Sequence, residues 1–161
     1  MSACIIAFNE ADRIGDCIAS LAFCDEVVVV DSHSTDDTVA IAQAMGARVL
    51  QRPFDGFRSQ KQFAVEQAAH DWVLCLDADE RVDDALRTAI EAERATGFGG
   101  AAGYRFARLS DYFGKFLRHG NAYPDRVLRL FDRRRGGWRG KREVHEAASV
   151  DGPVRTLRGD L

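Results

Sequence analysis

The chain predicts an α/β fold in which a mostly parallel sheet is covered by helices on both faces, and three observations carry that expectation. Through the first hundred residues, short apolar or β-branched runs alternate with longer amphipathic stretches. The short runs are nearly continuous in hydrophobic residues, as strands buried on both faces must be. Three of them end in polar clusters, Phe8-Asn9-Glu10, Asp31-Ser32-His33-Ser34 and Asp77-Ala78-Asp79. An open α/β sheet would set all three along one edge, where such folds bind ligands.

Taken in order, residues 3–8 read as a strand, 11–21 as an amphipathic helix and 26–31 (E-V-V-V-V-D) as a second buried strand. Residues 35–45 read as a helix closed by Gly46, a residue suited to the left-handed position past a helix end. Ser34 or Thr35 is expected to cap that helix, with Asp36 and Asp37 complementing its dipole. Residues 48–51 form a short strand, Pro53-Phe54-Asp55-Gly56 a loop, and 58–69 a helix. The run from Trp72 leads into Asp77, and a helix follows over 83–95. After the glycines at 97, 99, 100 and 103 the pattern changes: 104–108 and 127–131 read as strands, separated by Tyr112-Phe113-Gly114-Lys115-Phe116. Alternation of Arg129 and Phe131, with Val127, suggests a strand with one face buried, so not every arginine can be a ligand.

The 161 residues fit one domain. Apolar residues make up 46% and charged residues 29%, and no apolar stretch approaches the roughly 20 residues of a membrane-spanning helix. The N-terminus runs directly into a strand, so no signal peptide is expected. Cys4, Cys17, Cys24 and Cys75 are scattered without a C-x-x-C pair, which fits free thiols in a reducing cytosol. The net charge of −3 hides an asymmetry. Residues 1–100 carry 8 Lys+Arg against 18 Asp+Glu, whereas residues 101–142 carry 12 against 3. The basic segment could meet an anionic acceptor, a membrane surface or nucleic acid.

Asp77 and Asp79 stand where a buried strand enters a loop. Residues two apart on a strand point the same way, so the two carboxylates are expected to converge as a hard-oxygen site for Mg²⁺ or Mn²⁺. Such an ion completes its shell with substrate phosphates. Asp79 and Asp83 could equally serve as helix caps. The sequence A-F-N-E-A-D-R after the first strand lacks the G-x-G-x-x-G of a dinucleotide-binding domain, and no phosphate-binding glycine loop is present. A dehalogenase-type phosphatase would place D-x-D on the first strand, followed by Thr; here Glu80-Arg81 follows it on the fourth. A nucleotide would therefore be held by carboxylates and backbone.

Together these residues resemble family 2 glycosyltransferases of the GT-A-type fold. The likeness lies in I-I-A-F-N-E at 5–10, V-V-V-V-D-S-H-S-T-D-D-T at 27–38, Q-K-Q-F-A at 60–64 and L-D-A-D-E at 76–80. Tyr123-Pro124-Asp125, R-L-F-D-R-R at 129–134 and V-H-E at 144–146 look like the subgroup that includes lipopolysaccharide core β-1,4-glucosyltransferases. His33 stands where Gly is common, but tolerates a left-handed backbone better than most residues. Gln62 replaces a frequent Asn. Relatives usually continue beyond Leu161, so a C-terminally truncated form is expected.

The resemblance implies a donor-binding half over residues 1–100 and an acceptor-side subregion of the same domain over 101–161. Ala7, Phe8, Glu10 and Asp31 would line a nucleoside pocket, and Lys61 would approach the donor. Asn9, Ser34, Asp36, Ala78 and Arg129 complete the expected substrate-binding set, and Asp77 and Asp79 would hold a divalent metal at the diphosphate. The implied reaction is inverting transfer of a hexose, UDP-glucose being the foremost donor, to a hydroxyl of a glycolipid. Glu146 is the first candidate for the base, Asp125 the second and Glu143 the third, while His145 could contact metal or phosphate. The arginines at 126, 129, 133, 134, 135, 139 and 142 would face an anionic acceptor at the inner face of the plasma membrane. Two other classes stay open: a nucleotide-sugar-binding form without turnover, and a basic RNA- or membrane-binding module.

Overall fold

A computed structural model describes residues 1–109, 111–112, 115–116, 123–138 and 147–161. Strands and helices alternate in its first half: β1 (Ser2–Ala7), α1 (Ala11–Ala19), β2 (Glu26–Asp31), α2 (Thr38–Ala44), β3 (Arg48–Gln51), α3 (Phe57–Gln67), β4 (Trp72–Asp77) and α4 (Asp84–Ala95). A 3-10 turn over Gly97–Gly100 leads to β5 (Gly103–Arg108), the short pair β6 (Asp111–Tyr112) and β7 (Lys115–Phe116), and the long β8 (Asp125–Asp132). Two short strands, β9 (Gly136–Gly137) and β10 (Ser149–Val150), precede β11 (Val154–Asp160).

The main sheet has seven strands in the order β11-β5-β8-β4-β1-β2-β3. β3, β2, β1 and β4 run parallel, β8 is antiparallel to both β4 and β5, and β11 is parallel to β5. Residues 101–161 thus add three strands to the sheet begun by residues 1–100. Side chains alternate between two cores, as strand geometry requires. Ala3, Ile5, Ala7, Leu74 and Leu76 pack with Ile14 and Ile18 of α1, Ala42 of α2, and Leu86 and Ile90 of α4. Cys4, Ile6, Val73 and Cys75 pack on the opposite face with Ala64 and Val65 of α3, and with Trp138. The expected two-sided cover of helices is present.

Gly46 follows α2 with φ 84°, and His33 adopts φ 62°, as its position after β2 requires. Asp83 caps α4, its side chain accepting from the Leu86 amide at 2.6 Å. All four cysteines are free, and Cys4, Cys17 and Cys75 are buried. Among the described residues, no helix is long and apolar enough to cross a membrane.

The expected cap of the second helix is corrected. α2 begins at Thr38, and its N-cap residue, Asp37, makes no side-chain cap bond. Asp36 Oδ1 accepts from the Thr38 amide at 3.0 Å, and side chains of this segment also reach across the sheet edge. Ser34 Oγ accepts from the Asn9 amide at 2.8 Å, Thr38 Oγ1 from the Glu10 amide at 2.8 Å, and Asp36 Oδ2 from the Ala11 amide at 3.1 Å. Asn9 Oδ1 accepts in return from the Thr35 amide at 2.8 Å. The loop after β2 therefore satisfies the orphan amides at the start of α1, a contact that becomes available only when β1 and β2 lie side by side.

The expectation of a single buried face on β8 is corrected, since Arg129, Leu130, Phe131 and Asp132 are all buried. Tyr104 pairs with Leu130 and Arg105 with Leu128, which leaves Arg129 as an extra residue opposite β5. This β-bulge puts Val127 and Leu130 in one core and Leu128 and Phe131 in the other. Gly103 lies against the bulge: a Cβ there would come within 2.9 Å of the Leu128 side chain and 3.2 Å of the Leu130 carbonyl oxygen.

Candidate active site

The carboxyl ends of β1, β2 and β4 open into a cavity of about 660 Å³. Ile6, Ala7, Phe8 and Glu10, at the end of the central β1, form the middle, Ser32 after β2 lies to one side, and Asp77, Ala78 and Asp79 after β4 lie to the other. Phe54 and Phe57, from the loop before α3 and its first turn, complete the wall. Their rings meet edge to face at 5.0 Å and remain 51% and 56% exposed, and Phe8 is 56% exposed. These two phenylalanines were missed by the sequence reading. The signal was P-F-D-G-F, two large aromatics in an otherwise polar loop.

Asp77 is the hub of a buried charge cluster. Lys61 Nζ stands 3.0 Å from its Oδ1 and donates to Oδ2 at 3.3 Å. Arg129 Nη2 donates to the same Oδ2 at 3.1 Å and to Glu80 Oε1 at 3.1 Å. Lys61 and Arg129 side chains are only 6% and 4% exposed, and both sit over the Trp138 ring, at 4.9 and 5.4 Å from its centroid. Gln62 on α3 anchors that indole's backbone, accepting from the Trp138 amide at 2.9 Å. Burial opposes the charged form of Asp77, but the Arg129 guanidinium and the Lys61 ammonium outweigh it and hold the carboxyl below its usual range. Burial pushes Glu80 up, and the nearby Asp77 charge adds to the push against Arg129's pull. Arg129 itself is raised despite burial, because Glu80 and Asp77 both face it.

The geometry of Asp77 and Asp79 differs from strand alternation. β4 stops at Asp77, and the Glu80 amide donates to the Asp77 carbonyl at 3.0 Å, so Ala78 and Asp79 occupy a turn. The acidic side chain that shares a cation with Asp77 is Glu80, not Asp79. Asp79 is exposed on the cavity wall and makes no hydrogen bond or ion pair among the described residues. Within those residues no group of three His, Cys, Asp or Glu side chains converges on one point. The donor set still fits Mg²⁺ or Mn²⁺, which are held by one or two carboxylates and take their remaining oxygens from phosphate and water. Asp79 is the uncommitted carboxylate, and Asp77 lies beside it with one edge engaged by cations.

Other expected residues are distributed as follows. Ala7, Phe8, Glu10 and Ala78 line the cavity with the two aspartates. Asn9, Ser34 and Asp36 instead knit the two loops together. Asp31 is fully buried and does not line the cavity; its carboxylate accepts from the Ser34 amide at 2.9 Å, from the Ser34 hydroxyl, and from Gln51 at 3.4 Å. Arg129, expected to face an acceptor, is turned inward by its bulge. Asp125 starts β8 and is held by Arg108 through Nε at 3.1 Å and Nη2 at 2.7 Å. Arg134 pairs with Asp71 and Asp132, and Arg135 bonds to the Asp151 carbonyl, so these guanidiniums serve the fold. Glu146, Glu143, His145, Arg139 and Arg142 lie outside the described residues, as does part of the aromatic stretch at 112–116.

The cavity lies at the carboxyl edge of the sheet, where the polar clusters after β1, β2 and β4 stand. The model of glycosyl transferase family 2 matches residues 2–149. The chain belongs to that family. It is 38% identical over 163 residues to the lipopolysaccharide core biosynthesis glycosyltransferase LpsC of Rhizobium meliloti, covering 98% of this chain and 60% of that protein. The chain thus spans less than two thirds of that relative's length. Staphylococcus aureus TarS (residues 1–349) shares the fold, with a TM-score of 0.59 and 24% identity over 73% of this chain and 38% of that one. Glucosyl-3-phosphoglycerate synthase from Mycobacterium tuberculosis, in a complex with Mn²⁺, UDP and glucosyl-3-phosphoglycerate, aligns with a TM-score of 0.54 and 28% identity. That match covers 65% of this chain and 42% of the synthase. The GT-A-type architecture expected from the sequence is the one observed.

Proposed function

We propose that this family 2 domain binds a nucleoside diphosphate sugar, UDP-glucose foremost, for inverting transfer of the hexose to a hydroxyl of a lipopolysaccharide-core or related glycolipid. The observation that carries the reading is the mixed lining of the cavity: Phe8, Phe54 and Phe57 offer exposed aromatic surface for a flat base, while Asp79 offers a carboxylate for the metal of the diphosphate. The naming of LpsC supports the acceptor class, and the Mn²⁺ and UDP of the mycobacterial synthase support the donor and metal classes.

Asp79, with Asp77 beside it, would hold the divalent cation. When bound, such an ion supplies Lewis-acid stabilisation of charge on the leaving diphosphate. Lys61 and Arg129 contribute positive charge from behind Asp77. The acceptor proton goes to a carboxylate on the acceptor side, Glu146 or Asp125. β8 runs antiparallel to β4, so Asp125 starts it near the edge where β4 ends. A glycolipid acceptor would bring the domain to the inner face of the membrane, with the basic 101–142 segment toward anionic headgroups.

The test is calorimetric titration of a panel of UDP- and GDP-sugars, with Mn²⁺ and with EDTA, on the wild type and Asp79→Ala. Metal-dependent binding of one donor, lost in Asp79→Ala, is the expected result. Binding of none, or binding indifferent to Asp79, rejects the reading.

A further inference from the structure

The geometry points to Glu80 as a positioning residue that sets the reach of Asp79 into the cavity and holds Arg129 on Asp77. This rests on the nucleotide-sugar reading above and adds to it a residue that touches neither sugar nor phosphate.

Glu80 brackets the turn from both sides. Its amide donates to the Asp77 carbonyl at 3.0 Å, and its Oε2 accepts from the Asp77 amide at 2.8 Å. Its other oxygen, Oε1, accepts from Arg129 Nη2 at 3.1 Å. One side chain therefore closes the turn on β4 and ties it to the bulge on β8. Ala78 and Asp79 lie between these fixed points, and among the described residues Asp79 has no hydrogen bond or ion pair of its own. Among the described residues, its direction is set by the turn.

Charge bookkeeping gives Glu80 a second effect. Lys61 and Arg129 carry two positive charges, and Asp77 and Glu80 carry two negative ones, all within one cluster. Among the described residues, Asp77 faces both cations and Asp79 faces neither. Without Glu80, Arg129 would have Asp77 as its sole carboxylate partner among those seen, and the turn would lose its side-chain clasp. A buried ion network of this kind is a weak source of net stability. Its location, directly behind the cavity wall, fits an orienting role.

The experiment compares the wild type, Glu80→Ala, Glu80→Gln and Asp79→Ala with two probes. UDP is titrated with Mn²⁺ and with EDTA, by calorimetry and by the electron paramagnetic resonance of bound Mn²⁺. Uridine, which has no phosphate, reports the base pocket alone. The expected result is that Glu80→Ala weakens Mn²⁺-dependent UDP binding at least tenfold while uridine affinity stays within twofold. Glu80→Gln, which keeps an acceptor for the Asp77 amide, should restore at least a third of the wild-type UDP affinity. Equal UDP affinity in wild type and Glu80→Ala overturns the inference while leaving the function intact, and a parallel loss of uridine binding overturns it by showing collapse of the pocket. Should Glu80→Ala fail to fold, Glu80→Gln decides: it supports the role if UDP binding falls two- to threefold with uridine unchanged, and overturns it otherwise. Failure of the wild type to bind UDP with Mn²⁺ removes the functional reading and this inference together.

Discussion

Arg129 donates to Asp77 at 3.1 Å across 52 residues of sequence, from a strand that enters the sheet late to one that was built early. The pair is reached only because a bulge adds one residue to β8 at Arg129. Bulges of this kind re-aim a side chain beside a site. Asp77, Lys61 and Arg129 then meet on the α3 face of the sheet, over Trp138.

Breaking this pair from the basic side should be costly. Arg129→Met leaves Glu80 buried without its ion-pair partner and is expected to lower stability by about 3 kcal/mol at pH 7. The double variant Arg129→Met/Glu80→Gln should recover about 1–2 kcal/mol, because no unpaired charge remains. Urea denaturation of the two variants checks the order. A double variant no more stable than the single one would refute the assignment.

The clasp between the first two loops gives a second expectation. Thr38 is fully buried, and its hydroxyl is the acceptor for the Glu10 amide. Thr38→Val keeps the shape and removes the acceptor, at an expected cost of about 1–2 kcal/mol. Thermal unfolding should show a fall of several degrees, whereas Ser34→Ala, at a more exposed position, should show less.

Asp132 supplies a pH dependence. Hydrogen bonds from the Arg134 side chain hold its carboxyl below the usual range. A depressed carboxylate adds stability that is present above the unfolded-state value of about 3.9 and fades as pH falls through the lower folded-state value. The stability gap between wild type and Asp132→Asn is therefore expected to be level from pH 8 to about pH 5 and to close below about pH 4. Unfolding measured across that range tests the sign; a gap that widens in acid contradicts it.

Phe54 should separate binding from folding. Its ring is 51% exposed, so Phe54→Ala should change stability by no more than about 0.5 kcal/mol. A stacking partner lost from a base is worth about 1 kcal/mol or more, which is about fivefold in affinity. Titration with uridine and with pyrophosphate should show weakening of the first only.

Much of this arrangement was legible in the chain because it is local. Continuous apolar runs marked β1, β2 and β4, and the polar clusters behind them marked the cavity edge that Ala7, Phe8, Glu10, Asp77 and Asp79 line. Gly46 and His33 showed where the backbone turns left-handed. β11 escaped notice because Val154–Asp160 alternates charge and small residues at the sheet's edge, where burial leaves little signature. Phe54 read as a loop residue and Phe57 fell between loop and helix, since nothing in the order of residues says that they line the cavity.

The sequence by itself determined the parallel α/β layout, the edge that carries the site and the acidic motif, because strand periodicity and turn chemistry act over a few residues. Only the tertiary structure decided which carboxylate was spent and which stayed free. Asp77 became the hub of the charge cluster, Glu80 its neighbour across Arg129, Asp79 the exposed carboxylate on the cavity wall, and Asp36 a cap for a helix before it in the chain. Each of those choices depends on strands and loops far apart in sequence being brought within hydrogen-bond distance, where desolvation makes every buried charge find a partner.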